Sequence, residues 1–261
     1  MAKNEVAVAQ AAGAVAAYDY GADSGAGFEN QTSADRSIPF LAILQSNSPQ
    51  VEDGGESSGD LLNTVTGEVF DGNEGVVFVP SMTEHVYVEW VPRTQGGGFV
   101  ARYEADDPFV KQCEAKATQF GKAKTPDGND IQETFYVYGA ICPEGREPEL
   151  AVMAFTSTKI KVYRKYFGNK LSMFRDANKK QPPLFAHSIR VSTFKDKNAK
   201  GTFYNFTLTP ANGTVAESVL SPDDERCLAG KACLGLVKTG RATAAVDSQG
   251  GTAEADDNTT F

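Results

Sequence analysis

Between Lys159 and Phe206 the chain carries twelve lysines and arginines against two aspartates, a net of +10. The cations are Lys159, Lys161, Arg164, Lys165, Lys170, Arg175, Lys179, Lys180, Arg190, Lys195, Lys197 and Lys200. Threaded through them are Tyr163, Tyr166, Phe167, Phe174, Phe185, Phe194, Phe203, Tyr204 and Phe206. Cations alternating with aromatic rings suit a single-stranded nucleic acid, which needs charge for its phosphates and flat faces for its unstacked bases. The whole chain has 261 residues and a formal charge of −9, so everything outside this segment carries −19. Segregation of charge, rather than its total, is the signal.

Two elements must position these side chains. Thr156-Ser157-Thr158 can cap a helix, and Ile160, Tyr163, Phe167, Leu171 and Phe174 then recur at steps of three and four. That is an apolar helical stripe expected to face the core, leaving Lys161, Arg164, Lys165, Arg175 and Tyr166 outward. Gln181-Pro182-Pro183 ends the helix, Leu184 to Phe194 reads as a strand, and Lys195 to Gly201 as a basic hairpin tip. Thr202 to Thr209 returns, with Phe203 and Asn205 on one face and Tyr204 and Phe206 on the other. An exposed hairpin using lysine to discourage edge-to-edge pairing explains the same pattern without nucleic acid.

Upstream, the period is two. Leu61–Phe70, Gly75–Val79, His85–Val91, Phe99–Tyr103, Ile131–Cys142 and Leu150–Phe155 read as strands of antiparallel hairpins. Tyr136 and Tyr138 fall on one face. Asp107-Pro108 opens a helix expected to reach about Phe120, and Ser221-Pro222 opens another expected to stop before Gly240. Residues 1–36 are expected to be a flexible N-terminal arm, 37–240 a single domain, and 241–261 a disordered acidic tail.

Other chemistry finds little purchase. No apolar run approaches the ~20 residues that span a bilayer. The Ala-rich stretch Val6–Ala17 is interrupted by Gln10 and Gly13, unlike a secretory leader. Cys113, Cys142, Cys227 and Cys233 contain no C-x-x-C, and only His85 and His187 could join them, so reduced thiols are expected rather than zinc. The carboxylates between Glu52 and Glu89 are scattered without calcium-loop spacing and read as a solvated face that would repel phosphate. Neither histidine has the neighbours of a nucleophilic triad. No metal, no cofactor and no enzymatic activity are expected.

The flexible acidic C-terminus, with Glu254, Asp256, Asp257 and a final Phe261, resembles that of bacterial and phage single-stranded-DNA-binding proteins. Ile38-Pro39-Phe40-Leu41, Asn63-Thr64-Val65-Thr66-Gly67-Glu68, Val88-Glu89-Trp90 with Gly96-Gly97-Gly98-Phe99-Val100, and Phe155-Thr156-Ser157-Thr158 resemble a group of tailed-phage proteins. The resemblance implies sequence-independent binding of single-stranded DNA in a host cytoplasm, with the tail reading replication proteins. The expected fold is α+β: an antiparallel, barrel-like (OB-like) sheet with about three packed helices and disordered termini. Lys161, Arg164, Lys165, Arg190, Lys195, Lys197 and Lys200 would meet phosphates, and Tyr166, Tyr204 and Trp90 would stack on bases. A virion structural or assembly protein and a strand-annealing recombination mediator are the alternatives.

Overall fold

Pro39 keeps the first apolar run out of a helix, and the chain is extended on both sides of it, as Ser37–Ile38 (β1) and Leu41–Ile43 (β2). A single helical turn, Pro49–Glu52 (α1), and the strands Leu61–Asn63 (β3) and Val69–Phe70 (β4) follow. The computed structural model describes residues 26–27, 30, 37–118, 121–198 and 201–245. The expected N-terminal arm lies almost wholly outside these residues.

Val76–Trp90 (β5) is one 15-residue strand where the sequence suggested two, separated by Pro80. The register against its partner shifts between Pro80 and Met82. Such a bulge absorbs a residue that cannot donate to the ladder. The later elements are Phe99–Glu104 (β6), Pro108–Lys116 (α2), Ala123–Lys124 (β7), Asp130–Cys142 (β8) and Glu149–Thr156 (β9). Asp107 caps α2 as expected, its side chain accepting from the Phe109 N–H at 2.7 Å, but the helix ends at Lys116.

Lys159–Tyr163 (α3) passes directly into a π-helix, Arg164–Leu171. Leu184–Ala186 is a 3-10 turn rather than strand, and the hairpin consists of Ile189–Asn198 (β10) and Gly201–Pro210 (β11). The last helix is Glu225–Lys238 (α4). Its cap is Asp224, not Ser221: the Asp224 carboxylate accepts from the Arg226 N–H at 3.0 Å and from the Arg226 guanidinium at 2.9 and 2.6 Å. These bonds hold the Asp224 carboxyl below the usual carboxylate range. Thr243–Ala244 (β12) pairs in parallel with β1, so chain order continues past residue 240.

The architecture is α+β around a large antiparallel sheet. β5 and β8 pair along their whole lengths. β10 joins one end of β5 and β6 the other, while β9 and β7 pair with β8. Helices of seven residues or more number three among the described residues. One core lies on the face carrying Phe78, Val137, Ile141, Met153, Phe155, Val191 and Phe206, closed by Leu41 and Leu61 and by Ile160, Phe167 and Leu171 of the helix after β9. The opposite face carries Val86, Val88, Tyr136, Tyr138 and Val152 beneath α4. Tyr136 and Tyr138 therefore share a face, as their alternation required, but that face is internal.

Two bridges connect β2 and its extension to the large sheet. Phe40 forms a parallel bridge with Val152 of β9. On the other side Gln45, 4 % exposed, uses its side chain where a strand would use its backbone. Its Nε2 donates to the Tyr204 carbonyl of β11 at 2.9 Å, and its Oε1 accepts from the Tyr204 N–H at 2.8 Å. Backbone pairing itself does not close into a ring among the described residues. No described helix is long and apolar enough to cross a membrane.

Candidate functional site

The helix after β9 and the β10–β11 hairpin face each other across an open groove of about 1100 Å³. Lys161, Lys165, Tyr166, Asn169, Lys170 and Met173 form the helix wall. Phe194, Asp196, Lys197, Asn198, Phe203, Asn205 and Phe206 form the hairpin wall. The two basic segments of the sequence thus share one concave surface. It holds four lysines and a single acid, Asp196. None of the four lysines has a carboxylate within ion-pair distance among the described residues, so their charge is available to a ligand.

The π-helix builds the helix wall. In an α-helix, at 3.6 residues per turn, Lys165 and Lys170 would point well apart. The wider turn reduces the angle between residues five apart, and Lys165, Tyr166 and Lys170 line the groove together with Lys161 of α3. Its hydrogen-bond signature is visible at the end, where the Ser172 N–H donates to the Phe167 carbonyl at 3.3 Å. The same widening corrects an expectation. Tyr166 does not face outward: Tyr166 and Phe167 are both buried, each 5 % exposed. The Lys170 ammonium sits 5.5 Å from the centroid of the Tyr166 ring and covers it.

The Tyr166 hydroxyl is buried with no hydrogen-bond partner, and burial pushes its pKa up, so it stays a neutral phenol. A buried hydroxyl without a partner costs about 1–3 kcal/mol. Tyr166→Phe is therefore expected to raise the unfolding free energy by about 1 kcal/mol in urea denaturation. A fall in stability would mean that the hydroxyl has a partner after all.

The hairpin divides the remaining expected residues. Phe194 pairs with Asn205 and Asp196 with Phe203, all lining the groove. Lys195 pairs with Tyr204 and Lys197 with Thr202, so alternation assigns these four to the other face. Lys197 still reaches the groove; Lys195 and Tyr204 do not line it. Tyr204 lies instead across Gly59, where a Cβ would meet its ring at 2.5 Å. That close approach needs the missing side chain and the left-handed φ of +102° that Gly59 adopts. Lys200 lies outside the described residues, as do Glu254, Asp256, Asp257 and Phe261.

Three further expected residues are engaged elsewhere. Arg164 pairs with Glu133 at 2.9 Å and lies 5.6 Å from the Phe135 ring centroid. That ring continues a stack from His85 (4.1 Å) through Phe135 to Tyr163 (4.4 Å), beside the groove rather than within it. Arg190 donates to the Glu74 carbonyl at 3.1 Å and lines a different cavity, of about 970 Å³, with Arg146, Glu144, Glu147 and Asp224. Trp90 meets Phe99 edge-on at 6.0 Å and packs against the core beneath α4. Lys159, counted with the cations, is 1 % exposed, with its ammonium 5.9 Å from the Phe206 centroid.

Conversely, Lys170, Met173, Phe194 and Phe203 belong to the groove and were not singled out as site residues. The strand alternation that grouped Phe203 with Asn205 was the available signal for the hairpin pair. Nothing local announced the helix register that aligns Lys170. Among the described residues no three His, Cys, Asp or Glu side chains converge to hold a metal. The four cysteines are free and buried. Burial pushes the Cys233 thiol up to about 11 and the Cys142 thiol up to about 12, leaving both protonated and inert at neutral pH.

The sequence matches the family described as Pam3 phage gp34-like protein over residues 6–242. The chain belongs to that family. Neither the curated proteins nor the solved structures gave a match. In this Pam3 phage gp34-like protein every groove residue lies inside the matched span, whereas Glu254, Asp256, Asp257 and Phe261 lie beyond it.

Proposed function

We propose that this phage-family protein binds single-stranded DNA without regard to sequence, in the groove between the π-helix and the hairpin. The carrying observation is the joint presence there of four lysines free of carboxylates and of apolar side chains open to solvent, Phe194 and Met173. A duplex buries the faces of its bases and offers such a surface phosphates and base edges. A single strand offers both phosphates and π-faces. The groove holds one carboxylate and no histidine, which suits a binder rather than an enzyme.

The OB-like reading of the sheet belongs to this proposal. Its support is the pair of bridges at Phe40–Val152 and Gln45–Tyr204, which link β9 and β11 through β2. A partly open barrel of this kind presents a strand face and loops to oligonucleotides. Recognition of replication proteins by Glu254, Asp256, Asp257 and Phe261 remains part of the same reading, as does action in the host cytoplasm.

Fluorescence anisotropy with labelled oligo-dT, single- and double-stranded, at several salt concentrations tests it. Four neutralised phosphates give a log affinity that falls with log salt at a slope of about −3 on single strands. The single strand should bind more tightly than the duplex. Absent or salt-insensitive binding would move the chain to the virion-assembly class, with an acidic neighbouring subunit in the groove.

A further inference from the structure

Phe194 and Met173 are exposed apolar residues that share one concavity. Phe194 is 42 % exposed in the middle of a hairpin and Met173 is 75 % exposed, and both open onto the same groove from opposite walls. Singly exposed apolar residues are ordinary. Two in one concavity, flanked by unpaired lysines, are a surface prepared for an apolar, anionic ligand. The other groove aromatics are spoken for: Tyr166 at 5 %, Phe203 at 9 % and Phe206 at 2 % exposure form the floor, and the partly buried Phe174 meets His187 edge-on at 5.7 Å. The Phe194 ring makes no ring–ring contact among the described residues, and its exposure leaves it accessible from the groove.

We infer that Phe194 and Met173 are the two jaws of a nucleobase clamp. The inference rests on the nucleic-acid reading and deepens it. A strand whose phosphates run along Lys161, Lys165 and Lys170 turns its bases toward the hairpin. There one base stacks on Phe194 and meets the polarisable thioether of Met173 on its other side. Asn205 stands beside Phe194 in register, and its Oδ1 already accepts from the Phe206 N–H at 2.8 Å. That bond leaves Nδ2 as the amide's donor end, but Asn205 is 2 % exposed and belongs to the groove floor rather than to the jaws. The stacking role expected of Tyr166, Tyr204 and Trp90 thus passes to Phe194. Any base has a π-face, so the clamp adds affinity without sequence preference.

The test uses the full chain and two probes of equal length: oligo-dT and an abasic oligomer with the same phosphodiester backbone. Phe194→Ala should weaken oligo-dT binding roughly fivefold to a hundredfold and leave the abasic probe unchanged. Met173→Ala should act in the same direction with a smaller effect. Phe194→Trp should keep affinity and report directly, its fluorescence quenched by oligo-dT but not by the abasic probe. Trp90 is the chain's single natural tryptophan and gives a constant background. If the wild type binds oligo-dT but Phe194→Ala binds it equally, or loses both probes alike, the clamp is wrong while single-strand binding stands. Unquenched Phe194→Trp would overturn the clamp in the same way. If the wild type does not bind oligo-dT, the nucleic-acid reading fails and the clamp with it.

Discussion

Replacing Lys161, Lys165 and Lys170 together by alanine is expected to lower oligo-dT affinity about a hundredfold at ~0.1 M salt. The magnitude follows from counterion release. On single strands each neutralised phosphate contributes a slope of about −0.7, roughly a factor of five in affinity at 0.1 M relative to 1 M. Three contacts multiply to about two decades, and the salt slope should become shallower by about 2. The fold should survive, because the three side chains are exposed and alanine favours the helix. The controls are built into the structure. Arg164 is already paired with Glu133, Arg190 lines a different cavity, and Lys195 lies on the far face of the hairpin. Alanine at any of these should change affinity by no more than about twofold, the size of a distant screened charge. Equal losses at all six positions would mean that net charge, not the groove, carries the binding.

The elements that build this groove were legible to different degrees, and the difference is one of range. Helix stops, the Asp107 cap and the apolar stripe from Ile160 to Phe174 are local patterns, and they recur in the structure with small shifts of boundary. Alternation placed Phe203 and Asn205 together, and they do share the groove face. What the pattern missed depends on contacts distant in sequence or on backbone geometry that no residue type encodes. Within the π-turn Tyr166 is buried and Lys170 lines the groove, against a 3.6-residue reading of the same letters. Tyr204 looked like a free aromatic until Gly59, 145 positions earlier by residue number, supplied a backbone to lie on. The ten expected nucleic-acid residues therefore divide. Lys161, Lys165, Tyr166 and Lys197 line the groove; Arg164, Arg190, Lys195, Tyr204 and Trp90 are placed elsewhere; and Lys200 lies outside the described residues.

A long-range side-chain bridge makes the second large prediction. Gln45 and Tyr204 are 159 residues apart, and the Gln45 amide supplies both a donor and an acceptor to the Tyr204 backbone. Gln45→Ala removes both partners and leaves a peptide N–H and a C=O facing the gap between β2 and β11. An unsatisfied buried group costs about 1–3 kcal/mol, and with both bonds part-buried the variant should lose roughly 2–4 kcal/mol. For a domain of this size that is a fall in Tm of roughly 5–15 °C. Gln45→Glu separates the two bonds. Its carboxylate can still accept from the Tyr204 N–H, but it places an acceptor against the Tyr204 carbonyl and a charge where 4 % of the residue meets solvent. Burial and the carbonyl both favour its protonated form, so its folded-state pKa should lie above the ordinary ~4.3 of glutamate. Protons then bind the folded state more tightly than the unfolded one. The stability deficit relative to wild type should be smallest below pH ~4 and widen as pH rises through the folded-state value. If Gln45→Ala melts with the wild type, the side-chain bridge contributes nothing to joining β2 and β11. If it melts early, the hairpin wall of the groove is held from behind by the polar residue that follows the first apolar run. Oligo-dT affinity measured below the lowered Tm should then fall through loss of that support, although Gln45 does not line the groove.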